Sequence, residues 1–222
     1  SRRFRISYYR ESGQVCPIAS GKAEEAKRRA ASRDTHTETG YISVLYRAAA
    51  SNNVALVRRV LRRAAHNSKF DINQATVTGG TALIYASQHG SDDALKILLQ
   101  FPGINVNLPL HNGRTPLFMA CQSGHVFCVQ HLLDVPGIKV NKAKDTGETP
   151  LLIACQEGYM ECVISLMSHP TIKVDQATKN GRTPLQMACY GGHVHVVNAL
   201  LVSSLGVDIN KRKMQGSTAL WL

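Results

Sequence analysis

The phrase Gly-x-Thr-Pro-Leu begins at Gly113, Gly147 and Gly181, and in each copy an Ala-Cys pair and then a Gly follow at fixed offsets (Ala120-Cys121 and Gly124, Ala154-Cys155 and Gly158, Ala188-Cys189 and Gly192). Thr115, Thr149 and Thr183 stand 34 residues apart, and a weaker copy opens 34 residues earlier at Thr81-Ala82-Leu83. A fixed period of this length marks a solenoid, in which one supersecondary unit stacks on the next and no single central core exists. The period therefore overrides the one-or-two-domain expectation for a chain of 222 residues.

Each unit reads as helix–turn–helix. Thr can cap the free N–H groups of a helix start, and Pro at the first helical position gives up an N–H that had no partner. Leu117, Ala120 and Cys121 then fall at i, i+3 and i+4, one apolar face over two turns. Gly124 stops the helix where a positive φ is easiest. Val126, Val129, Leu132 and Leu133 give a second apolar face, Pro136-Gly137 breaks it, and Ile138-Lys139-Val140-Asn141 leads through a polar loop to the next Gly147. The expected fold is all-α, a solenoid of stacked helix-turn-helix units joined by hairpin-like β-turn loops. The units are placed at 41–78, 79–112, 113–146, 147–180 and 181–215.

The two ends depart from the pattern. In the first unit Leu45 aligns with Leu83, and Val54 to Leu61 forms an amphipathic second helix, but Thr-Pro is missing and four extra residues sit in the outgoing loop. Terminal units of a solenoid are expected to be atypical, because one side faces solvent. Thr218-Ala219-Leu220-Trp221-Leu222 opens another first helix and stops, so 216–222 is read as a cut-off unit and the natural chain is expected to continue. Residues 1–40 carry no repeat. They are read as a basic segment, mostly disordered or partly helical, with helix propensity over 22–32.

Taken together these residues resemble the ankyrin repeat, whose pattern is Gly-x-Thr-Pro-Leu-His-x-Ala-Ala-x-x-Gly-His, a Val/Leu-rich helix, and Gly-x-x-Val-Asn. Residues 113–141, 147–175 and 181–210 fit closely, 79–107 more loosely, and the resemblance extends over 41–222. Tetratricopeptide repeats share the period, but their Trp-x2-Leu-Gly-x2-Tyr signature is absent. The family's His stands here as Ile84, Phe118, Leu152, Gln186 and Trp221, so any hydrogen bond from it to the neighbouring Thr is expected to be lost. The resemblance implies a non-enzymatic scaffold or adaptor that binds a protein partner through its loop tips and the inner face of its first helices.

Charge divides the chain. Residues 1–70 hold 15 Lys and Arg against 5 Asp and Glu, whereas residues 71–222 hold 11 against 10. The net charge of +11 thus belongs to the N-terminal end. Arg58, Arg59, Arg62 and Arg63 fall on the outer face of the second helix of the first unit and form a candidate basic patch. Nucleic acid or an anionic surface bound through residues 1–63 is the alternative to a protein partner.

Other chemistries find no footing. His193-Val-His195 lies near Cys189, but no Cys-x2-Cys or His-x3-His pair offers a zinc site, and no metal or cofactor is expected. Nucleophile elbows, phosphate-loop glycines and zincin motifs are missing. Cys121, Cys155 and Cys189 share one repeat position and Cys128 and Cys162 another, spaced too far across stacked helices for disulfides, so they read as buried thiols in a reducing compartment. No apolar run is long enough for a bilayer span. A monomer in the cytoplasm or nucleus is expected.

The positions that vary inside the repeat are the candidates for recognition. One column runs Gly80, Arg114, Glu148, Arg182; a second runs Gln88, Gln122, Gln156, Tyr190, beside Ser123 and Glu157; the tips carry His111 and Asn112, Asp145 and Thr146, Lys179 and Asn180. Arg114, Glu148 and Arg182 alternate in sign. A phosphate groove should be uniformly basic, so mixed charge beside amides points to a protein or peptide surface.

Overall fold

In the computed structural model, residues 38–65, 67 and 70–211 are described. The basic segment before Glu38, part of the outgoing loop of the first unit and the cut-off unit at 216–222 lie outside them. Ten helices form among the described residues: α1 (Glu38–Ala50), α2 (Val54–Ala64), α3 (Ala82–His89), α4 (Asp92–Leu99), α5 (Pro116–Ser123), α6 (Val126–Leu133), α7 (Pro150–Glu157), α8 (Met160–Met167), α9 (Pro184–Tyr190) and α10 (Val194–Val202). They pair as α1/α2, α3/α4, α5/α6, α7/α8 and α9/α10. The first helices of the pairs stack on one another in one layer and the second helices in another. No strand forms among the described residues, and the fold is an all-α solenoid.

The helix boundaries follow from local chemistry. Thr81, Thr115, Thr149 and Thr183 are extended residues whose hydroxyls accept the N–H of the third helical residue, at Ile84, Phe118, Leu152 and Gln186. Pro116, Pro150 and Pro184 occupy the first helical position. One expectation is corrected here. At Gln186 the bond to Thr is not lost: its Oε1 accepts the Thr183 backbone N–H at 3.2 Å, closing a reciprocal capping box. Gln186 also donates through Nε2 to the Lys211 carbonyl at 2.6 Å, so a buried amide is satisfied on both sides. Ile84, Phe118 and Leu152 make no such bond and are buried apolar side chains instead.

The core runs the length of the stack. Leu117, Phe118, Ala120 and Cys121 of α5 and Val129 and Leu132 of α6 are all buried, as are their counterparts Leu151, Leu152, Ala154, Cys155, Val163 and Leu166. Each fully buried Leu contributes about 1.5–3 kcal/mol of apolar burial. Because the first helices carry Ala and Cys at the facing positions, neighbouring units approach closely.

Polar side chains tie the units together. Asn73 donates to the Gly103 carbonyl and accepts from the Asn105 N–H; Asn107 does the same with Gly137 and Lys139, and Asn141 with Thr171 and Lys173. Each asparagine therefore satisfies two backbone groups of the next unit with one side chain. His125 and His193 place Nε2 at 3.1 and 2.9 Å from the carbonyls of Gln88 and Gln156 in the preceding unit. Asn52, at φ 50°, accepts the Ala94 N–H at the start of α4.

Candidate binding surface

The loops between pairs close as tight turns. Leu110 N–H donates to the Arg114 carbonyl and Gly113 N–H to Leu110; Lys144 pairs with Glu148 and Gly147 with Lys144; Thr178 pairs with Arg182 and Gly181 with Thr178. Successive tips are then bonded to each other: His111 N–H to Thr78 at 3.1 Å, Asp145 N–H to Asn112 at 3.2 Å, and Lys179 N–H to Thr146 at 3.2 Å. The contact is close. At Gly147, with φ 95°, an added Cβ would lie 2.7 Å from the Lys179 nitrogen, so the turn needs glycine both for its φ and for space. The tips form a continuous hydrogen-bonded ridge that holds its side chains at fixed intervals.

On that ridge His111, Asn112, Asp145, Thr146, Lys179 and Asn180 are exposed. Among the described residues, the charged groups of Asp145 and Lys179 have no ion-pair partner, and neither has the exposed guanidinium of Arg182. Arg114 and Glu148 are placed differently. Lys144 Nζ lies 3.1 Å from Glu148 Oε1, and the Thr146 hydroxyl donates to the other carboxylate oxygen. Burial alone would raise the Glu148 pKa, but the bonds from Thr146, from its own backbone N–H and from Lys144 outweigh it and hold the carboxyl below its usual range. Arg114 Cζ and Lys144 Nζ stand 5.9 and 5.8 Å from the ring centroid of the buried Phe118. Arg114 and Glu148 thus belong to a half-buried cluster built on Phe118, while Asp145, Lys179 and Arg182 project from it.

Lys144 was not among the candidates from sequence. Nothing in its spacing distinguishes it, because the pairing with Glu148 runs across the neck of a turn rather than along a helix.

Below the ridge, the first helices present Gln122, Ser123 and Gln156 half-buried and Glu157 and Tyr190 exposed. Gln156 Nε2 donates to Glu157 Oε1 at 3.1 Å. Tyr190, 62% exposed at the end of α9, is the largest apolar surface on this column. Met119, Ile153 and Met187, each three residues before a member of that column, are buried.

Away from this face, Arg58, Arg59, Arg62 and Arg63 are exposed on α2, opposite its buried Val57, Val60, Leu61 and Ala64. Cys121, Cys128, Cys155 and Cys162 are free and buried, and Cys189 is free and half-buried. Among the described residues, no group of three His, Cys, Asp or Glu is arranged to hold a metal ion, and no helix is long and apolar enough to cross a membrane.

The comparison with curated proteins returned no match. A family model for ankyrin repeats matches the chain in three overlapping copies, over residues 45–144, 102–177 and 136–213. Those stretches take in all five helix pairs except the start of α1. Ankyrin repeats are generally protein–protein interaction modules, typically non-enzymatic, and this chain belongs to the ankyrin-repeat family.

Proposed function

We propose that the chain is a scaffold or adaptor module that binds a partner protein through the ridge of loop tips and the adjoining face of the first helices. The observation that carries this reading is the combination of a rigid base with exposed charges of both signs. The tips are bonded one to the next through His111, Asp145 and Lys179, so ordering on binding costs little. Asp145, Lys179 and Arg182 have no ion-pair partner among the described residues and supply charge complementarity. Tyr190 supplies an exposed aromatic anchor beside Gln156 and Glu157. Arg114 and Glu148 serve as the frame for these residues rather than as its leading contacts. No catalysis is assigned, and free buried thiols fit a monomer working in a reducing compartment such as the cytoplasm.

The test is affinity capture from native lysate with the wild type and with Asp145→Lys/Lys179→Glu/Arg182→Glu, first matched by thermal melting. Partners retained by the wild type and lost by the variant support the reading. An unchanged set of captured proteins sinks it. The alternative, a nucleic acid or anionic surface bound through residues 1–63, rests partly on the segment outside the described residues and partly on Arg58 to Arg63, whose surroundings suit another occupant.

A further inference from the structure

The second helix of the first pair carries a charge pattern that no described residue compensates. Arg58 and Arg62, and Arg59 and Arg63, sit at i,i+4 spacing on α2, where like charges repel along the helix. None of the four has an acidic partner among the described residues. The acids of the neighbouring α4 are already engaged. Asp92 lies 2.9 Å from Lys96 and 3.0 Å from His131, and Asp93 accepts from Asn52 at 3.5 Å.

Between α2 and α4 lies a groove of about 300 Å³, rimmed by Arg58 and Arg62 and floored by Leu61, Ile97, Phe101 and Pro102. Phe101 is held in place edge-on against Phe70, with ring centroids 6.0 Å apart. Guanidinium groups suit any polyanion, but an apolar floor offers nothing to a phosphate backbone. A carboxylate-bearing peptide with one bulky apolar side chain uses both halves: guanidinium forks for the acids and the floor for the anchor. The volume stands at the low end of the roughly 300–1,000 Å³ of ligand pockets, enough for an anchor side chain. Residues 1–37 hold 9 Lys and Arg against 4 Asp and Glu, so the chain's own N-terminal segment has the wrong sign for the site.

We propose that the α2–α4 groove binds a short acidic segment of a partner protein, its carboxylates on Arg58 and Arg62 and one large apolar side chain seated on Leu61, Ile97 and Phe101. This surface lies on the second-helix layer, apart from the ridge of tips.

A random-sequence peptide display library panned on the whole chain tests it. The expected enriched peptides combine two or more acids with an aromatic or leucine anchor. Arg58→Glu/Arg62→Glu should weaken them by at least about ten-fold. Ala65→Trp narrows the groove with both arginines in place, and should weaken them as well. Thermal melting shows whether each variant stays folded, and the Asp145/Lys179/Arg182 variant should bind the peptides as the wild type does. The proposal is overturned if selection returns no peptide, if the enriched peptides are acidic without an apolar anchor, or if binding ignores either groove variant. It is equally overturned if random-sequence single-stranded DNA binds the groove more tightly than the selected peptides, which would make it a polyanion site.

Discussion

Lys144 and Glu148 face each other across the neck of one loop, ammonium to carboxylate at 3.1 Å, with both side chains largely out of solvent. The pair closes a turn that backbone bonds have already formed, so it is worth more than a surface ion pair between mobile side chains. Glu148→Gln is expected to cost about 1 kcal/mol at neutral pH, since the amide keeps the shape but loses the charge-assisted bond. The pH dependence has a definite sign. Glu148 titrates lower in the folded chain than its ordinary value, so its contribution is complete above the unfolded pKa and fades as pH falls through the folded one. Urea midpoints of wild type and variant should therefore converge in acid, below about pH 4. A gap that stays constant into acid would show that the ion pair is not its source.

The ring of His193 lies over Gly158 of the preceding unit so closely that a Cβ there would come within 2.4 Å of Nδ1, while its Nε2 bonds the Gln156 carbonyl. Gly158 also has φ 76°, in the left-handed region. Gly158→Ala must both strain the helix end and push the imidazole off its acceptor, so a loss of about 2–3 kcal/mol is expected. His193→Ala on its own removes one bond. In the Gly158→Ala background it should cost less than it does alone, because the collision is relieved. Equal costs in the two backgrounds, read from denaturant melts of the four proteins, would mean that ring and glycine are not coupled.

These two relationships mark where the sequence stops being legible. Thr-Pro starts, glycine stops and the Leu-x-x-Ala-Cys face depend on neighbours within a turn or two, so the helix pairs and their core follow from local reading. The Asn73, Asn107 and Asn141 bonds join residues about a unit apart, and nothing at those positions announces the partner. The candidate columns are visible in the sequence because they vary at a fixed period, and the stacked tips bring His111, Asp145 and Lys179 into one ridge. Periodicity could not show that Glu148 is held by Lys144 and Thr146 whereas Arg182 has no ion partner among the described residues. That difference comes from the residue facing each position across its turn, Lys144 for Glu148 and Thr178 for Arg182.

The thiols offer a readout of how the stack opens. Burial pushes Cys121 and Cys155 far above the usual thiol range, Cys128 to about 12 and Cys162 to about 11; Cys189 is raised less and is only half-buried. Reactivity follows the exposed thiolate. Among these five, native alkylation is expected to modify Cys189 first, with Cys121 and Cys155 protected until their units open. Mass spectrometry of time-quenched samples orders the sites. Modification of Cys121 ahead of Cys189 would contradict the packing described for α5 and α9.

Asp175 occupies the position held by asparagine in the three preceding units. Its Oδ2 accepts the Asp208 N–H at 2.9 Å, as the asparagine oxygens accept in their units. Its Oδ1 is buried and has no hydrogen-bond partner among the described residues, where each asparagine instead offers an N–H to a carbonyl of the next unit. A carboxylate can only accept, so the second bond of the ladder cannot form at this joint. Asp175→Asn restores the missing donor in the same shape, and is expected to stabilise the chain by about 1 kcal/mol. The converse change, Asn141→Asp, should destabilise by a similar amount, because it installs the same defect one unit earlier. Both can be read from urea midpoints at unchanged slope. If Asp175→Asn left the midpoint where it was or lowered it, the joint between the last two helix pairs would owe its stability to something other than this ladder.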